Sequence, residues 1–331
     1  MTKVAVCIPT FNQAEFLDVA VQSAIDQAEV ETEIWVADDA SSDKTADVIA
    51  KFAKDTRVHY IRREQNLGIS LNAGSLMMLP ESEYIVRLDS DDFLEPGYVV
   101  TLAMHLDECP AAAVAHCSVN QVDRTGSITR RRELNRKSGF QSAEQALIAS
   151  VKGYKVAANI CMFRRSALPT DFIYRNGMNF CEDWDLWIRI ADAGWGNVYV
   201  DRPLANYRVW TDGAGYRASR KVSELQGIET VFDVTLKEAF DRRSWDKRVL
   251  SNAKKKFASH QVLSMTEINS GSEGQTDVKR ALLSLSENSI VCRAKIALVE
   301  AGFGFMLVVQ RRSWSKLVYW AKSVVRAFRC R

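Results

Sequence analysis

The sequence predicts an α/β protein: a mostly parallel sheet flanked by helices, followed by a helical C-terminal extension. Three observations predict it. Short apolar runs alternate with helix-like patterns through the first half of the chain. Several of those runs end in polar or acidic turns, where open α/β sheets bind ligands. From about Gly215 the alternation stops and longer helical patterns replace it.

The elements follow in order. Val4 to Ile8 is a short buried strand, closed by Pro9 and the loop Thr10-Phe11-Asn12. A helix follows, with its inner face expected at Phe16, Val19, Ala20, Ser23, Ala24 and Gln27. Glu33 to Ala37 is the second strand and delivers Asp38-Asp39 to its carboxyl end. Ser41-Ser42-Asp43 is expected to cap the next helix. Val58 to Ile61 is a third strand, followed by the turn Asn66-Leu67-Gly68 and a helix to Leu79. Tyr84-Ile85-Val86 is a fourth, and Pro96-Gly97 breaks the path beyond it. A helix to Asp107 and a strand from Ala111 to Val122 come next. Ile128 to Phe140, with five basic residues and few apolar anchors, reads as a mobile solvated loop, the alternative being a clamp on an anionic ligand. Val156 to Phe163 reads as a strand. Trp184, Trp187, Ile188 and Ala191 mark one face of a buried helix, and Leu225 to Phe240 holds another apolar face.

The chemistry concentrates in Asp89-Ser90-Asp91-Asp92, directly after the fourth strand. Carboxylates this close repel one another unless a cation is held between them. With oxygen ligands and no His or Cys nearby, that cation is a hard one, Mg²⁺ or Mn²⁺, which also grips a diphosphate. No GxGxxG follows the first strand and no GxxxxGK[ST] occurs, so dehydrogenase and P-loop readings lose their main signatures.

Pro9-Thr10-Phe11-Asn12, Asp38 to Asp43, Asn66-Leu67-Gly68 and Asp89 to Asp92, in this order, resemble the family 2 glycosyltransferases of the GT-A fold over about residues 3–210. That resemblance implies an inverting transferase that uses a nucleotide-sugar donor, most often of uridine. It would set Pro9, Thr10, Asn12, Asp39, Asn66, Gly68, Asp89 and Ser90 on the donor, and Asp91 with Asp89 on the metal. Glu182-Asp183-Trp184-Asp185 resembles the family's ED motif, which implies Asp183 as general base. Glu182 would assist it, and Trp184 and Asp185 would face the acceptor. The acceptor class is a glycan or lipid-linked saccharide of the cell surface; nucleic acid is not an expected partner. Two departures from the pattern stand out: Trp210 occupies the place of a metal-binding His, and the helix after Gly68 lacks a common Arg. A catalytically idle nucleotide-sugar binding module is the rival reading. A nucleotidyltransferase is a further one, against the Pro9 to Asn12 loop.

The domain division expected is a catalytic domain at 1–215 and a basic helical region at 216–331. Charge follows the same asymmetry, with +11 over residues 241–331 and −8 over the rest. Seven cysteines without CxxC spacing fit a reducing cytosol, and the four histidines show no ligand spacing. A first strand at residue 4 argues against a signal peptide. The apolar run Ala301 to Val309 is far shorter than the ~20 residues of a membrane span. Ser313 to Arg329 places Trp314, Leu317, Val318, Ala321, Val324, Val325 and Phe328 on one stripe, with basic residues around it. Such a helix suits the anionic inner surface of a membrane, with docking on protein as the alternative.

Overall fold

A computed structural model describes residues 2–178, 180–209, 214–268, 272–304 and 306–307. The chain divides into two compact units, residues 1–211 with 233–245, and residues 212–232 with 246–331.

The first unit is built on one sheet. β1 (Lys3–Thr10), β2 (Glu31–Asp38), β3 (Val58–Arg62) and β4 (Tyr84–Arg87) run parallel in the order β3-β2-β1-β4, joined by α1 (Ala14–Ile25), α2 (Thr45–Ala50) and α3 (Ile69–Met77). Strands buried on both faces carry continuous apolar runs, and Val4 to Ile8 are fully buried. β5 (Phe93–Leu94) and α4 (Tyr98–Asp107) lead to β6 (Ala112–Val122). β7 (Ile128–Arg132), β8 (Gly139–Gln141), α5 (Ala143–Ser150), β9 (Cys161–Arg164), α6 (Glu182–Asp192) and β10 (Gly196–Arg208) complete the unit. β9 enters antiparallel between β4 and β6, while β10 lies parallel to β6, so the sheet is mixed beyond β4.

Four local expectations are corrected. Ile128 to Phe140 contributes two short strands in place of a loop, because β7 pairs with β6 and β8 with β10. Its arginines hid the strand signal: Arg130 binds Gln121, Arg131 binds Asp201, and Arg136 binds Asn197 at 2.7 Å each. The strand expected at Val156 starts only at Cys161; Ala157, Ala158 and Ile160 are buried without ladder pairing. The inner face of α1 is Phe16, Leu17, Ala20, Val21 and Ala24, and Val19 is about half exposed. Asp43 does not cap α2 in the usual way. Its carboxylate accepts from Thr45 N–H and reaches Ala14 N–H at the start of α1.

After β10 come α7 (Ala214–Thr230), a π-helical stretch Val231–Leu236 and α8 (Lys237–Arg242). Leu225, Ile228, Val231, Phe232, Thr235, Leu236 and Phe240 are all buried, as their spacing predicts. In the second unit, α9 (Arg248–Gln261) is followed by α10 (Glu273–Leu285), whose start Ser272 caps by accepting from Gln275 N–H. α11 (Ile290–Glu300) is capped likewise by Ser289. No described helix is long and apolar enough to cross a membrane. The stripe from Ser313 to Arg329 lies outside the described residues.

Candidate active site

Three loops meet at the carboxyl ends of β1, β2 and β3, and backbone hydrogen bonds join them. Asp39 N–H donates to the Thr10 carbonyl at 2.9 Å. Asn12 N–H donates to Ser41 Oγ at 2.9 Å, and Asn12 Oδ1 accepts from Ser42 N–H at 2.8 Å. Each oxygen of the buried Asp39 carboxylate accepts one backbone N–H, from Leu67 at 2.8 Å and Gly68 at 2.9 Å. Asn66 Nδ2 donates to the Asp39 carbonyl. Asp39 therefore organises the Asn66-Leu67-Gly68 turn, with charge-assisted bonds worth about 1.5–3 kcal/mol each. Asp38 is also committed, to Ser41 N–H and the Tyr60 hydroxyl. Thus Thr10, Asn12, Asp39, Asn66 and Gly68 come together, with Pro9 buried at the end of β1.

Backbone strain marks the same edges. Asn12, Ala40 and Cys181 adopt positive φ of 52°, 61° and 64°. For residues with a Cβ this region is uncommon and costs on the order of 1–3 kcal/mol. Ala40 follows Asp39, and Cys181 stands immediately before Glu182.

The Asp89–Asp92 turn is tied by Asp92 N–H to the Asp89 carbonyl at 3.0 Å. Asp92 is turned inward: its Oδ1 accepts Arg208 N–H at 2.8 Å. Burial, then its neighbours Asp91 and Asp89, push its carboxyl well above the usual range. Arg208 also donates to the Asp91, Asp123 and Arg124 carbonyls and lies 4.5 Å from the Phe16 ring centre. Ser90 is buried in the turn, while Asp89 and Asp91 are partly open. Among the described residues, no three His, Cys, Asp or Glu side chains converge as a metal cage. Two part-open carboxylates nonetheless fit a hard cation that completes its shell with diphosphate oxygens and water.

Arg87, the last residue of β4 and 2% exposed, joins this turn to α6. Its Nε donates to Asp89 Oδ1 at 2.9 Å and its Nη1 to Asp183 Oδ1 at 2.7 Å. Glu182 stands 3.7 Å from the same nitrogen. Buried arginine needs such partners; removing one side of such a pair typically costs about 3–5 kcal/mol. Asp183 and Glu182 occupy the first turn of α6, where free N–H groups favour anions. Burial raises the Asp183 carboxyl, against the opposing pull of Arg87.

Glu182 is pushed up to about 7, by burial first and by Asp183 next. The folded chain therefore holds a proton that the unfolded chain, at its ordinary value of 4.5, has released. Its contribution to stability is fully present below pH 4.5 and is lost as pH rises through 7. The Tm advantage of Glu182→Gln over wild type should grow between these two pH values. A difference that stays constant with pH would contradict this.

Not every expected site residue faces the site. Asp185 is completely buried and binds Arg189 at 2.8 Å, Arg175 at 3.4 Å and the Thr235 hydroxyl. Its expected acceptor contact is corrected: the carboxylate ties α6 to its surroundings. Trp184 is buried as well, with 4% exposed. Trp210 lies outside the described residues. In the helix that lacks the expected Arg, Ser70 donates to the Met178 carbonyl and Asn72 to the Ala37 carbonyl. Sequence reading missed Arg87, Tyr174 and Arg208. A charge at the end of an apolar strand beside acids was an available signal for Arg87, and the stretch Pro203 to Trp210 one for Arg208; Tyr174 offered none.

Residues 5–171 match the family model described as Glycosyl transferase family 2. The chain is 30% identical over 196 residues to a chondroitin synthase of Escherichia coli, covering 58% of this chain and 27% of that protein. It thus spans about a quarter of that relative's length. Among solved structures, S. aureus TarS 1-349 in complex with UDP aligns with TM-score 0.57 at 15% identity, over 91% of this chain and 92% of that one. The mannosyltransferase PcManGT from Pyrobaculum calidifontis, in complex with GDP-Man and Mn²⁺, aligns with TM-score 0.54 at 17% identity, over 95% and 83%. Both show the GT-A type of fold. With the family model matched across half its length, the chain belongs to glycosyl transferase family 2.

Proposed function

We propose that this chain transfers a sugar from a UDP-sugar to a hydroxyl of a glycan or lipid-linked saccharide, with inversion, in polysaccharide assembly. One observation carries the reading: a single buried guanidinium holds the diphosphate-side acid, Asp89, and the acid at the start of α6, Asp183. In this reading the leaving group lies beside Asp89 and the base is Asp183, with Arg87 linking the two acids. A single displacement needs that arrangement. Asp183 takes the proton of the attacking hydroxyl while the bond from the anomeric carbon to the diphosphate breaks. Asp91 with Asp89 would hold Mn²⁺ or Mg²⁺, which would supply charge neutralisation for the departing diphosphate. Pro9, Thr10, Asn12, Asp39, Asn66 and Gly68 shape the nucleoside end, and Glu182 lines the acceptor side. The polymer synthase among the relatives, the UDP held by TarS and the Mn²⁺ held by PcManGT support the reading.

A panel of UDP- and GDP-sugars, assayed for metal-dependent nucleotide release with glycan acceptors, tests it. Release of UDP from at least one UDP-sugar, abolished by chelation, is the expected result. Metal-dependent UDP binding without release from any donor would leave an idle binding module instead.

The acceptor class suggests a cytoplasmic enzyme at the inner membrane face, with residues 313–329 as its basic amphipathic contact. Full-length protein should float with anionic liposomes at low salt, and protein lacking residues 311–331 should not. Equal flotation of both would assign the stripe to protein packing.

A further inference from the structure

Arg87 and Tyr174 end on the same oxygen of Asp183. Arg87 Nη1 donates to Oδ1 at 2.7 Å, and the Tyr174 hydroxyl donates to Oδ1 at 2.8 Å. That hydroxyl accepts from Arg87 Nη1 at 3.0 Å, so the three groups close a triangle of hydrogen bonds. The guanidinium carbon lies 5.3 Å from the Tyr174 ring centre. Neither donor can wander. Arg87 is anchored at its other end by Asp89, and Tyr174 packs against Gly74 of α3, where a Cβ would stand 3.3 Å from the ring.

A carboxylate oxygen carries two lone-pair sites, and these two donors occupy both on Oδ1. Among the described residues Oδ2 takes no hydrogen bond, and Asp183 keeps 7% of its surface exposed. We infer that Arg87 and Tyr174 are positioning residues that lock the rotation of the Asp183 carboxylate and reserve Oδ2 for the acceptor's hydroxyl proton. The inference rests on the proposed role of Asp183 as base. The step balances: the O–H proton passes to Oδ2, the oxygen's pair forms the bond to the anomeric carbon, and the diphosphate leaves with the pair of the broken bond. Because the same guanidinium also binds Asp89, the direction in which Oδ2 points is referenced to the donor side of the site. General-base catalysis needs that alignment, and loss of it slows the chemical step more than it weakens binding.

Tyr174→Phe removes one donor and keeps the ring over the guanidinium. It should lower kcat about tenfold, with donor KM and UDP affinity in Mn²⁺ within twofold and Tm nearly unchanged. In an Asp183→Asn background it should cost no further activity. Arg87→Lys should lower kcat more and raise donor KM as well, since one ammonium cannot span Asp89 and Asp183. If Arg87→Lys does not fold, Tyr174→Phe decides alone. Wild-type turnover in Tyr174→Phe, or a full tenfold loss on top of Asp183→Asn, would overturn the inference while leaving Asp183 as base. Near-normal turnover of Asp183→Asn itself would remove the base and the inference together.

Discussion

Asp183→Asn is expected to lower kcat by about 10² or more while leaving UDP affinity within a few-fold, since positioned general bases contribute 10²–10⁴. The amide can still accept the bonds from Arg87 and Tyr174 through its oxygen, so the fold around β4 and α6 should persist. What it cannot do is take a proton. Loss in kcat and in kcat/KM by similar factors would identify an interaction made only in the transition state. Steady-state kinetics beside calorimetry with UDP and Mn²⁺ makes the check. Retained turnover would move the base elsewhere. Asp185 is not the substitute, because its carboxylate is buried against Arg189, Arg175 and Thr235.

Asp91→Asn should remove activity to a similar or greater degree and weaken UDP binding in Mn²⁺, because a hard cation loses an anionic oxygen ligand. Asp92→Asn gives the contrast. Burial and the neighbouring acids push that carboxyl up, toward its neutral form, and its Oδ1 serves Arg208 N–H, which an amide oxygen can also do. UDP affinity in Mn²⁺ should therefore be near wild type in Asp92→Asn and sharply reduced in Asp91→Asn. Wild-type UDP affinity that is equal with and without Mn²⁺ would overturn the metal assignment altogether.

The sequence by itself determined the alternating half of the fold. Val4 to Ile8, Ile34 to Ala37 and Tyr84 to Val86 are apolar runs that only a sheet covered on both faces can bury, and the turns after them announced a ligand edge. The helix from Glu182, with its tryptophans inside and its acids at the start, was legible for the same reason of period. Hidden from it were the features set by pairing between distant segments. The arginines of β7 made a ladder strand look like a loop, since an edge strand with charge on both faces shows no alternation. α1 buries Leu17 and Val21 in place of Val19 because the sheet beneath it, not its own spacing, sets its rotation.

The site divides in the same way. Residue types and local order named Asp39, Asp89, Asp91 and Asp183 as candidates, because clustered acids at strand and helix ends are a one-dimensional signal. Which of the neighbouring acids remain available was decided in three dimensions. Asp38, Asp39, Asp92 and Asp185 differ little from their neighbours in sequence, yet each spends its carboxylate on groups brought from elsewhere in the chain: Tyr60, Leu67 with Gly68, Arg208 and Thr235. The contacts that join the two halves of the site run from Arg87 to Tyr174 and Asp183, separated by 87 and 96 residues. Burying one guanidinium requires its partners to converge from wherever the fold can supply them, and that demand leaves no trace in local composition.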